Sequence, residues 1–540
     1  MKKVFLFLLL SASFHSYSQD IKLSSALRKA MDQVDTNTIR ANIAYLADDK
    51  LKGRLPGTEG YQMAVDYVVE QYKKIGLIPA GDRNSYLQKI ILRKATLDYT
   101  SLALVLKDNN GNTDTISSRR DFTVIPHPLK PSSAIETGIV FAGYGVEIPE
   151  QYSDYTGIDV KGKVVVVLRG VPPGLHSTLA AHFNNAGNKM TLAYRKGAAG
   201  IIIADTTAAV SSANTRTPTL TIALNPDKTQ AYGRGSTGLL DLAVNASFSA
   251  LQYLFMHSGK NLDEVIAELK KGKPQSFPIP LSLSASYKSD FHDFESYNVV
   301  GKIQGSDPVL KNEYVVHTAH LDHLGIGKPV NGDSIYNGAH DNASGVASLI
   351  EIARIYKNSA VKIKRSVLMV MVTGEEMGLI GSSYFAANPT VPKSSIVADV
   401  NTDMPTVIAP LLSVVPLGAE HSSLMRNVRF AANYLRLDVE NDPEPSENRF
   451  VRSDQYSFVM NGIPALHIKY GNKTNIPGLD PVAYVKAWRA KYYHQSADGM
   501  DGLFNFTAAK TYVQLNFLIS YSIAQSKEKP TWNKGDLFGL

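Results

Sequence analysis

Three short motifs, HTAHLDHLG (317–325), GAHDNASG (338–345) and TGEEMGLIGS (373–382), decide how this sequence is expected to fold. The first ends an apolar run, the second precedes a helix-like segment, and the third directly follows VLMVMV. Strands rich in Val, Ile and Leu that alternate with helices predict a mostly parallel central sheet flanked by helices. Ligands in such sheets gather at the carboxyl ends of the strands. The sequence therefore predicts an α/β fold with one site where these motifs meet.

The alternation of strands and helices extends from residue 297 to the carboxyl terminus. Strand candidates are NVVGKI, EYVVHTAH, SVLMVMVTG, SIVADVNTD and IPALHIKYG, and helix candidates are SGVASLIEIARIYKN, MGLIGSSYFAAN, HSSLMRNVRFAANYL and FTAAKTYVQLNFLISYSIAQ. Residues 22–79 place apolar side chains three and four positions apart, which predicts helices. Gly76 is expected to end the second of these helices. The chain is therefore expected to begin with helices and to end with alternating strands and helices.

The middle of the chain has a different pattern. TGIVFAGYGVEI, GKVVVVLRGVPPG and YRKGAAGIIIADTT predict strands and a helix, with glycines at the turns. This part of the sequence does not concentrate His, Asp and Glu as a catalytic site would. It is therefore not expected to hold the catalytic site.

Length and composition restrict the class of protein. A chain of 540 residues predicts two to four domains, and 44% hydrophobic with 19% charged residues is typical of a globular protein. The formal charge of +7 is modest, and no dense run of Lys and Arg is present, so nucleic acid is not an expected partner.

The first residues, MKKVFLFLLLSASFHSYSQ, have the pattern of a secretory signal peptide at 1–18. The alternative is a membrane anchor, but the apolar core from Val4 to Leu10 is shorter than the roughly 20 residues of a membrane span. The chain contains no cysteine, so neither disulfides nor a cysteine-linked lipid is possible. We therefore expect a secreted or periplasmic protein without a stable membrane span.

His320 and Asp322 would point the same way on a strand, where the carboxylate could orient a metal-binding imidazole. The alternative is a polar loop with solvated histidines, and His317 and His323 are interpreted as bystanders. Asp341 lies at a turn before a helix, where a capping motif is the competing interpretation.

Glu375 and Glu376 are adjacent carboxylates after an apolar strand. They repel each other unless a cation or a proton separates them. One could bind a metal while the other acts as a general base, although both would also favour the first turn of a helix.

Asp403 and His494 are weaker candidates when each is taken alone. Asp403 ends the apolar run SIVADVNTD, where a helix cap is the alternative, and His494 lies in YYHQSAD, where a solvated loop histidine is the alternative. Other hydrolase signatures are absent from the sequence: it contains neither HExxH nor GxSxG, and without cysteine a thiol nucleophile is impossible.

Together, the motifs H-x-D, GA-x-DNASG, GEE-x-GL-x-GS, DM and YH-x-x-x-D occur in order over residues 317–498. In this order the sequence resembles the co-catalytic zinc exopeptidase family of secreted aminopeptidases and glutamate carboxypeptidases. LKGRLPGTEG and GLIPAGD resemble the amino-terminal segment of that family, and DVKGKVVVVLRG with KGAAGIIIA resembles a protease-associated (PA) domain.

The resemblance implies a phosphorylase/hydrolase-like fold, two Zn²⁺ ions and peptide substrates. It implies that Asp341 bridges the two ions, that His320 and Asp403 complete one site, and that Glu376 and His494 complete the other. Glu375 would be the general base, Asp322 would orient His320, and Tyr493 would stabilise the tetrahedral intermediate. Many relatives carry Asp or Asn where His340 stands and His where Gln455 stands, which leaves the details of the pocket open.

The expected organisation follows from the same resemblance. A signal peptide at 1–18 precedes the amino-terminal part of the catalytic domain at 19–92. An inserted, β-rich region spans 93–285, with a PA-like core at about 132–245, and the main catalytic domain spans 286–540. The expected activity is that of an aminopeptidase. The alternatives are a carboxypeptidase or dipeptidase of the same family and a non-catalytic binding protein on this fold.

Overall fold

The fold is known from a computed structural model that describes residues 23–116, 121–207, 218–233, 240–359 and 362–539. The signal peptide predicted at 1–18 lies outside the described residues. Three helices begin the described chain: α1 (Ser25–Asp32), α2 (Thr36–Leu46) and α3 (Glu59–Ile75). The hydroxyl of Thr58 caps the start of α3, and Gly76 ends it with a φ of 82°, as the sequence predicted. A left-handed backbone at this position suits glycine, which has no Cβ to clash.

Two long strands connect the two parts of the molecule. After the short strand β1 (Ile78–Pro79), strand β2 (Leu87–Asp108) pairs antiparallel with a much later strand over almost its whole length. Both strands run through the positions at which the inserted region was expected to begin and end. These two paired strands therefore connect the inserted region to the rest of the molecule. Successive side chains of a strand point to opposite faces, so one strand can contribute side chains to more than one core.

The inserted region contributes most of its strands to the continuous sheet that contains β2, and it keeps one short antiparallel pair separate. Its strands are β3 (Thr113–Thr115), β4 (Phe122–Val124), β5 (Ser132–Ala142), β6 (Glu147–Ile148), β7 (Tyr152–Ser153), β8 (Val164–Leu168), β9 (Gly200–Ala204), β10 (Thr219–Leu224), β11 (Ala231–Tyr232) and β12 (Leu242–Ala246). Its helices are α4 (Ser177–Asn184), α5 (Ala186–Arg195), α6 (Phe248–Met256) and α7 (Leu262–Lys270). Strands β5, β8, β9 and β12 are parallel neighbours in that order. The chain returns along β13 (Ser276–Ile303), the partner of β2.

The carboxyl-terminal half forms the main sheet and a separate antiparallel pair, Gly325–Val330 with Asp333–Tyr336. Its strands are β14 (Tyr314–His320), β15 (Gly325–Val330), β16 (Asp333–Tyr336), β17 (Ser366–Val372), β18 (Ile396–Asn401), β19 (Ser413–Leu417), β20 (Asp438–Val439) and β21 (Ala465–Tyr470). Its helices are α8 (Ser344–Asn358), α9 (Ile380–Ala387), α10 (Leu424–Leu435), α11 (Gln455–Val459), α12 (Pro481–Tyr492) and α13 (Phe506–Gln525).

Four central strands of the main sheet are parallel, in the order β17, β14, β18, β21. Strand β13 flanks them antiparallel on one side, and β19 does so on the other. Alternate residues face opposite cores: Val315 packs with α8 and α13, whereas Val316 packs with α9 and α11. The predicted mostly parallel sheet with helices on both faces is therefore confirmed. Helix α12 was not predicted.

Candidate metal centre

The candidate residues come from loops at one edge of the main sheet. His320 is the last residue of β14, the Glu375–Glu376 pair follows the end of β17, and Asp403 follows the end of β18. Because these strands are parallel, their carboxyl ends lie at the same edge. Asp341 comes from the turn before α8, and His494 follows the end of α12. The fold thus brings residues that are far apart in sequence to one place.

The carboxylate of Asp341 is the centre of this cluster. Its Oδ1 atom lies 3.2 Å from Nε2 of His320, and its Oδ2 atom lies 3.2 Å from Nε2 of His494. The same His320 nitrogen is 3.4 Å from Oδ1 of Asp403, and the same His494 nitrogen is 3.1 Å from Oε2 of Glu376. One aspartate is therefore shared by two sets of donors, each with an imidazole and a second carboxylate.

Burial makes this concentration of charge unusual. His320 and Asp341 are buried, and the side chain of His494 is partly exposed. Burial alone would lower the pKa of His494, but its contacts with Asp341 and Glu376 raise that pKa to about 10. Likewise, burial opposes ionisation of Asp341, yet the two histidines hold its pKa well below the usual range. The cluster thus depends on positive charge placed between its carboxylates.

Several nitrogen and oxygen atoms of the cluster contact one another as ion pairs but make no hydrogen bond within the described chain. They include Nε2 of His320, Oδ1 of Asp403 and Oε1 of Glu376, all of which are buried. Buried polar atoms are normally satisfied, so atoms like these point to a ligand. Imidazole nitrogens and carboxylate oxygens are also the ligands that zinc prefers when no thiolate is available. The residues therefore fit a zinc centre.

The backbone around Asp341 is held by a second carboxylate. Asp498 is buried and accepts hydrogen bonds from the N–H groups of His340, at 2.9 Å, and Asp341, at 3.0 Å. The turn itself begins at Gly338, with a φ of 63°, where a Cβ atom would come within 2.1 Å of the carbonyl oxygen of Asp341. Only glycine fits such a turn, which explains the first residue of the GAHDNASG motif.

A buried arginine from the amino-terminal region supports two of the loops. Arg54 donates hydrogen bonds to the carbonyl oxygens of Leu321 at 2.9 Å, Asn337 at 2.6 Å and Gly338 at 3.0 Å. Burial lowers its pKa to about 10, which leaves it a cation at neutral pH. Arg54 lies in the LKGRLPGTEG segment, and its role was not predicted, because basic residues are usually on the surface.

Glu375 and Asp322 adjoin the cluster. Burial, followed by the neighbouring carboxylates, raises the pKa of Glu375 well above its usual value. The carboxylate of Asp322 accepts hydrogen bonds from the backbone N–H groups of Glu375, at 3.1 Å, and Glu376, at 3.3 Å. It lies 4.0 Å from Nδ1 of His320, which is closer, at 3.1 Å, to the carbonyl oxygen of Asp322. Asp322 therefore contacts both the histidine and the backbone of the glutamate pair.

Tyr493 lies beside His494 with its ring stacked on the imidazole, at 3.9 Å between ring centroids. Its hydroxyl accepts a hydrogen bond from Nη2 of Arg452 at 3.0 Å. The tyrosine also lines a cavity that reaches Asp403. Its hydroxyl thus lies near the cluster, next to a cationic side chain.

His323 was interpreted as a bystander, but the structure places it against the cluster. The side chain is buried, and its Nδ1 atom lies 2.8 Å from Oε1 of Glu376. With Asp341 and Glu376 it forms a group whose donor atoms all lie within 4.8 Å of one another. The cluster of three histidines in HTAHLDHLG was the signal that could have identified it. His340, in contrast, stacks on Phe504 at 3.9 Å, away from the shared carboxylate.

Comparison with known sequences confirms the resemblance inferred from the motifs. Residues 298–516 match the sequence profile of Peptidase family M28, and residues 133–231 match that of the PA domain. The chain is 25% identical over 225 residues to probable leucine aminopeptidase 2 of Aspergillus oryzae. This alignment covers 38% of this chain and 41% of that protein. The chain is also 25% identical over 358 residues to probable lipoprotein aminopeptidase LpqL of Mycobacterium tuberculosis. This alignment covers 66% of this chain and 55% of that protein. The chain thus spans about half the length of these relatives.

Comparison with solved structures confirms the fold. An aminopeptidase from Aneurinibacillus sp. strain AM-1 superposes with a TM-score of 0.50 at 17% identity, covering 93% of this chain and 97% of that chain. At this identity the likeness concerns the fold alone. Among the residues that the structure describes, no helix has the length and apolar character needed to cross a membrane.

Proposed function

We propose that this protein, whose residues 298–516 match Peptidase family M28, is a zinc-dependent exopeptidase that removes amino-terminal residues from peptides. The observation that carries the proposal is the position of Asp341 between two imidazoles, with its two oxygens each 3.2 Å from a histidine nitrogen. A shared carboxylate with one imidazole on each side is the arrangement that a two-metal hydrolase needs.

In this proposal Asp341 would contribute to both of two zinc sites. His320 and Asp403 would hold one ion, and Glu376 and His494 would hold the other. His323 supports the site formed by Glu376 and His494. It does so by contacting Oε1 of Glu376, the carboxylate oxygen that does not face His494. When bound, zinc would lower the pKa of water and polarise the scissile carbonyl group.

Glu375 is the proposed general base. It takes a proton from the attacking water and delivers that proton to the leaving amine. Its position directly before Glu376, a proposed metal ligand, supports this role, because a base must lie within reach of the water that it deprotonates. Asp322 is a positioning residue, since its carboxylate fixes the backbone N–H groups of the glutamate pair.

Tyr493 is the proposed hydrogen-bond donor to the oxygen on which negative charge develops. A donor fixed in place before the reaction stabilises that charge without the cost of reorganising solvent. Its contact with Arg452 at 3.0 Å supports this role, because the cation keeps the hydroxyl in one place beside the cluster.

The leader sequence supports a secreted or periplasmic protein that begins near residue 19. The inserted region at 93–285 and the flanking catalytic segments at 19–92 and 286–540 complete the proposed organisation. Sequencing the amino terminus of the protein recovered from its native host tests the leader. A chain that still begins at Met1 would contradict this part of the proposal.

A purified sample tests the activity in three measurements. Elemental analysis is expected to give two zinc ions per chain. Amino-acid arylamides are expected to be hydrolysed, and this activity should disappear with a chelator and return with added zinc. Peptides with a blocked amino terminus and a free carboxyl end are expected to resist. Hydrolysis of only the blocked peptides would favour a carboxypeptidase, and zinc binding without hydrolysis of either class would favour a binding protein.

A further inference from the structure

A small cavity adjoins the candidate metal centre on the side of Asp403 and Tyr493. Its volume is about 200 Å³, below the roughly 300–1,000 Å³ typical of sites for drug-sized ligands, so it suits a single side chain. Because Asp403 forms part of its wall, a group bound in it would lie next to the bond that is cut. The rings of Tyr493 and Trp488 form further parts of the wall.

Four cationic side chains line this cavity: Arg449, Arg452, Lys469 and Arg489. Glu447 is the one acidic side chain that lines it besides the candidate ligand Asp403. A wall with this much positive charge does not suit an apolar side chain such as that of leucine. The charge of the wall therefore decides what the cavity can accept.

The three arginines are paired with three carboxylates. Arg449 contacts Asp442 and lies 3.3 Å from Glu444, and Arg489 lies 3.0 Å from Glu444 and 3.7 Å from Glu447. Arg452 also lies 3.7 Å from Glu447. These three arginines are therefore balanced by Asp442, Glu444 and Glu447, and the fourth cation is in excess.

Lys469 is that excess cation. It is buried in strand β21, and its Nζ atom donates to the carbonyl oxygens of Asp403, at 3.1 Å, and Met404, at 3.2 Å. Within the described chain it forms no ion pair with a carboxylate, and an ammonium group has three N–H donors. The charge of the Asp403 carboxylate acts on Lys469, but the proposed function assigns that carboxylate to zinc, so a ligand that supplies a further negative charge would stabilise the buried cation.

Arg449 adds a further unused donor. Its Nε atom is buried and makes no hydrogen bond within the described residues, whereas its Nη1 atom makes the ion-pair contact with Glu444. An uncharged, apolar side chain in the cavity would leave the Nε atom of Arg449 and the third N–H group of Lys469 without acceptors. A carboxylate would satisfy them, and hydrogen bonds between charged groups are among the stronger ones in proteins.

Resting on the proposed function, we propose that this cavity binds a carboxylate of the substrate and makes the enzyme prefer an acidic residue beside the scissile bond. Lys469, Arg449 and Arg452 are the donors. The carboxylate can come from the side chain of an amino-terminal Asp or Glu, or from the free carboxyl end of a short peptide. Both sources have the same chemistry, and the test separates them.

The first arm compares kcat/KM for arylamides of Glu, Gln and Leu, which carry no free α-carboxylate. Glu is expected to exceed Gln by about tenfold to a hundredfold, the value of a charged hydrogen bond that the neutral amide lacks. The second arm compares Leu-Gly with Leu-Gly amide. A preference confined to the free acid in this arm assigns the carboxylate to the carboxyl end of the substrate.

Variants connect the preference to the cavity. Lys469→Met keeps the length of the side chain but removes its charge, and it is expected to lower the Glu-to-Gln ratio about tenfold or more. Arg452→Gln should lower the same ratio, and Arg452→Lys should restore part of it. Arg426→Gln is the matched control, because Arg426 is 73% exposed and far from this wall. Using a ratio removes any general loss of activity from the comparison.

Failure of this inference differs from failure of the proposed function. If Leu-arylamide is cleaved but Glu equals Gln and the free acid equals the amide, the carboxylate site is wrong and the peptidase is not. If nothing is cleaved, thermal-shift titration with L-glutamate, L-glutamine and L-glutaminamide, which has no carboxylate, still tests the cavity. Stabilisation by glutamate, alone or together with glutamine, that is absent with glutaminamide and lost in Lys469→Met supports the site, and equal responses to all three overturn it.

Discussion

Two groups of buried charge distinguish the two halves of this molecule. In the inserted region, Asp154 accepts backbone hydrogen bonds from Tyr144 at 3.0 Å and Val146 at 3.1 Å, and a third from the hydroxyl of Tyr152 at 2.7 Å. Nearby, Lys189 donates to two backbone carbonyl oxygens. Around Asp341, in contrast, buried imidazole and carboxylate atoms face one another without completed hydrogen bonds. A buried charged group whose polar atoms are all hydrogen-bonded within the protein has a structural role. A buried charged group with polar atoms that lack hydrogen bonds points to a ligand.

The largest effect is expected from removing the proposed base. Glu375→Gln should lower kcat by about 10²–10⁴-fold, because the amide cannot accept the proton from water. Zinc content should stay at the wild-type value, since Glu375 is not a proposed ligand. Steady-state kinetics on an arylamide and elemental analysis measure the two quantities.

The exposed Glu70, with a side chain 60% accessible, provides the control variant Glu70→Gln, which should keep full activity. Near-normal turnover of Glu375→Gln would remove Glu375 from the mechanism.

In the inserted region, Asp154→Ala should destabilise the protein by about 2–5 kcal/mol. The change leaves two backbone N–H groups and the buried Lys189 without their partner. Urea unfolding, monitored by tryptophan fluorescence and circular dichroism, measures the loss. Asp159→Ala is the control, because that side chain is 73% exposed and should change stability little.

The comparison predicts that Asp154→Ala leaves the zinc content of the folded protein unchanged. Loss of zinc at temperatures where the variant is still folded would show that the two buried groups are not independent.

His323 tests how far the metal centre extends. His323→Ala should weaken zinc binding about 10–100-fold, the usual effect of losing a residue that supports a metal ligand. His494→Ala should weaken it more, because His494 contacts both Asp341 and Glu376. Competition with a chromogenic chelator gives both affinities. The reverse order would make His323 the ligand and His494 the supporting residue.

The smallest effect is expected where the two halves of the molecule meet. Thr178 of α4 shares a 2.8 Å hydrogen bond with Nε2 of His421, whose Nδ1 atom lies 2.7 Å from Asp536. Thr178→Val should cost about 1 kcal/mol of unfolding free energy and leave zinc binding intact. The exposed Thr113 gives the control Thr113→Val. A large fall in activity for Thr178→Val alone would show that this contact controls the active centre.

The parts of the fold that the sequence predicts best are the apolar strands. The strands before His320, Glu375 and Asp403 are rich in Val, Leu, Ile and Met because both faces of a parallel sheet are buried. Asp322 shows the limit of that reasoning, since it was expected on the strand with His320. Strand β14 ends at His320, so the Asp322 carboxylate is free to accept the N–H groups of the glutamate pair.

Helix α12 was missed for a different reason. PVAYVKAWRAKY has little apolar periodicity, and it buries only Val485, Trp488 and Tyr492. Its start could have been recognised, since Asp480 caps the helix and Pro481 occupies the first turn. Sequence alone cannot show that Arg54 and Lys469 are buried, because burial of a basic side chain depends on carbonyl groups that only the folded chain brings near.

Crystals of the zinc-loaded protein, measured at the zinc absorption edge, test the central claim most directly. The account predicts two anomalous peaks, one on each side of the Asp341 carboxylate, with His320 and Asp403 at the first and Glu376 and His494 at the second. A single peak, or two peaks of which one lies away from Asp341, would contradict it.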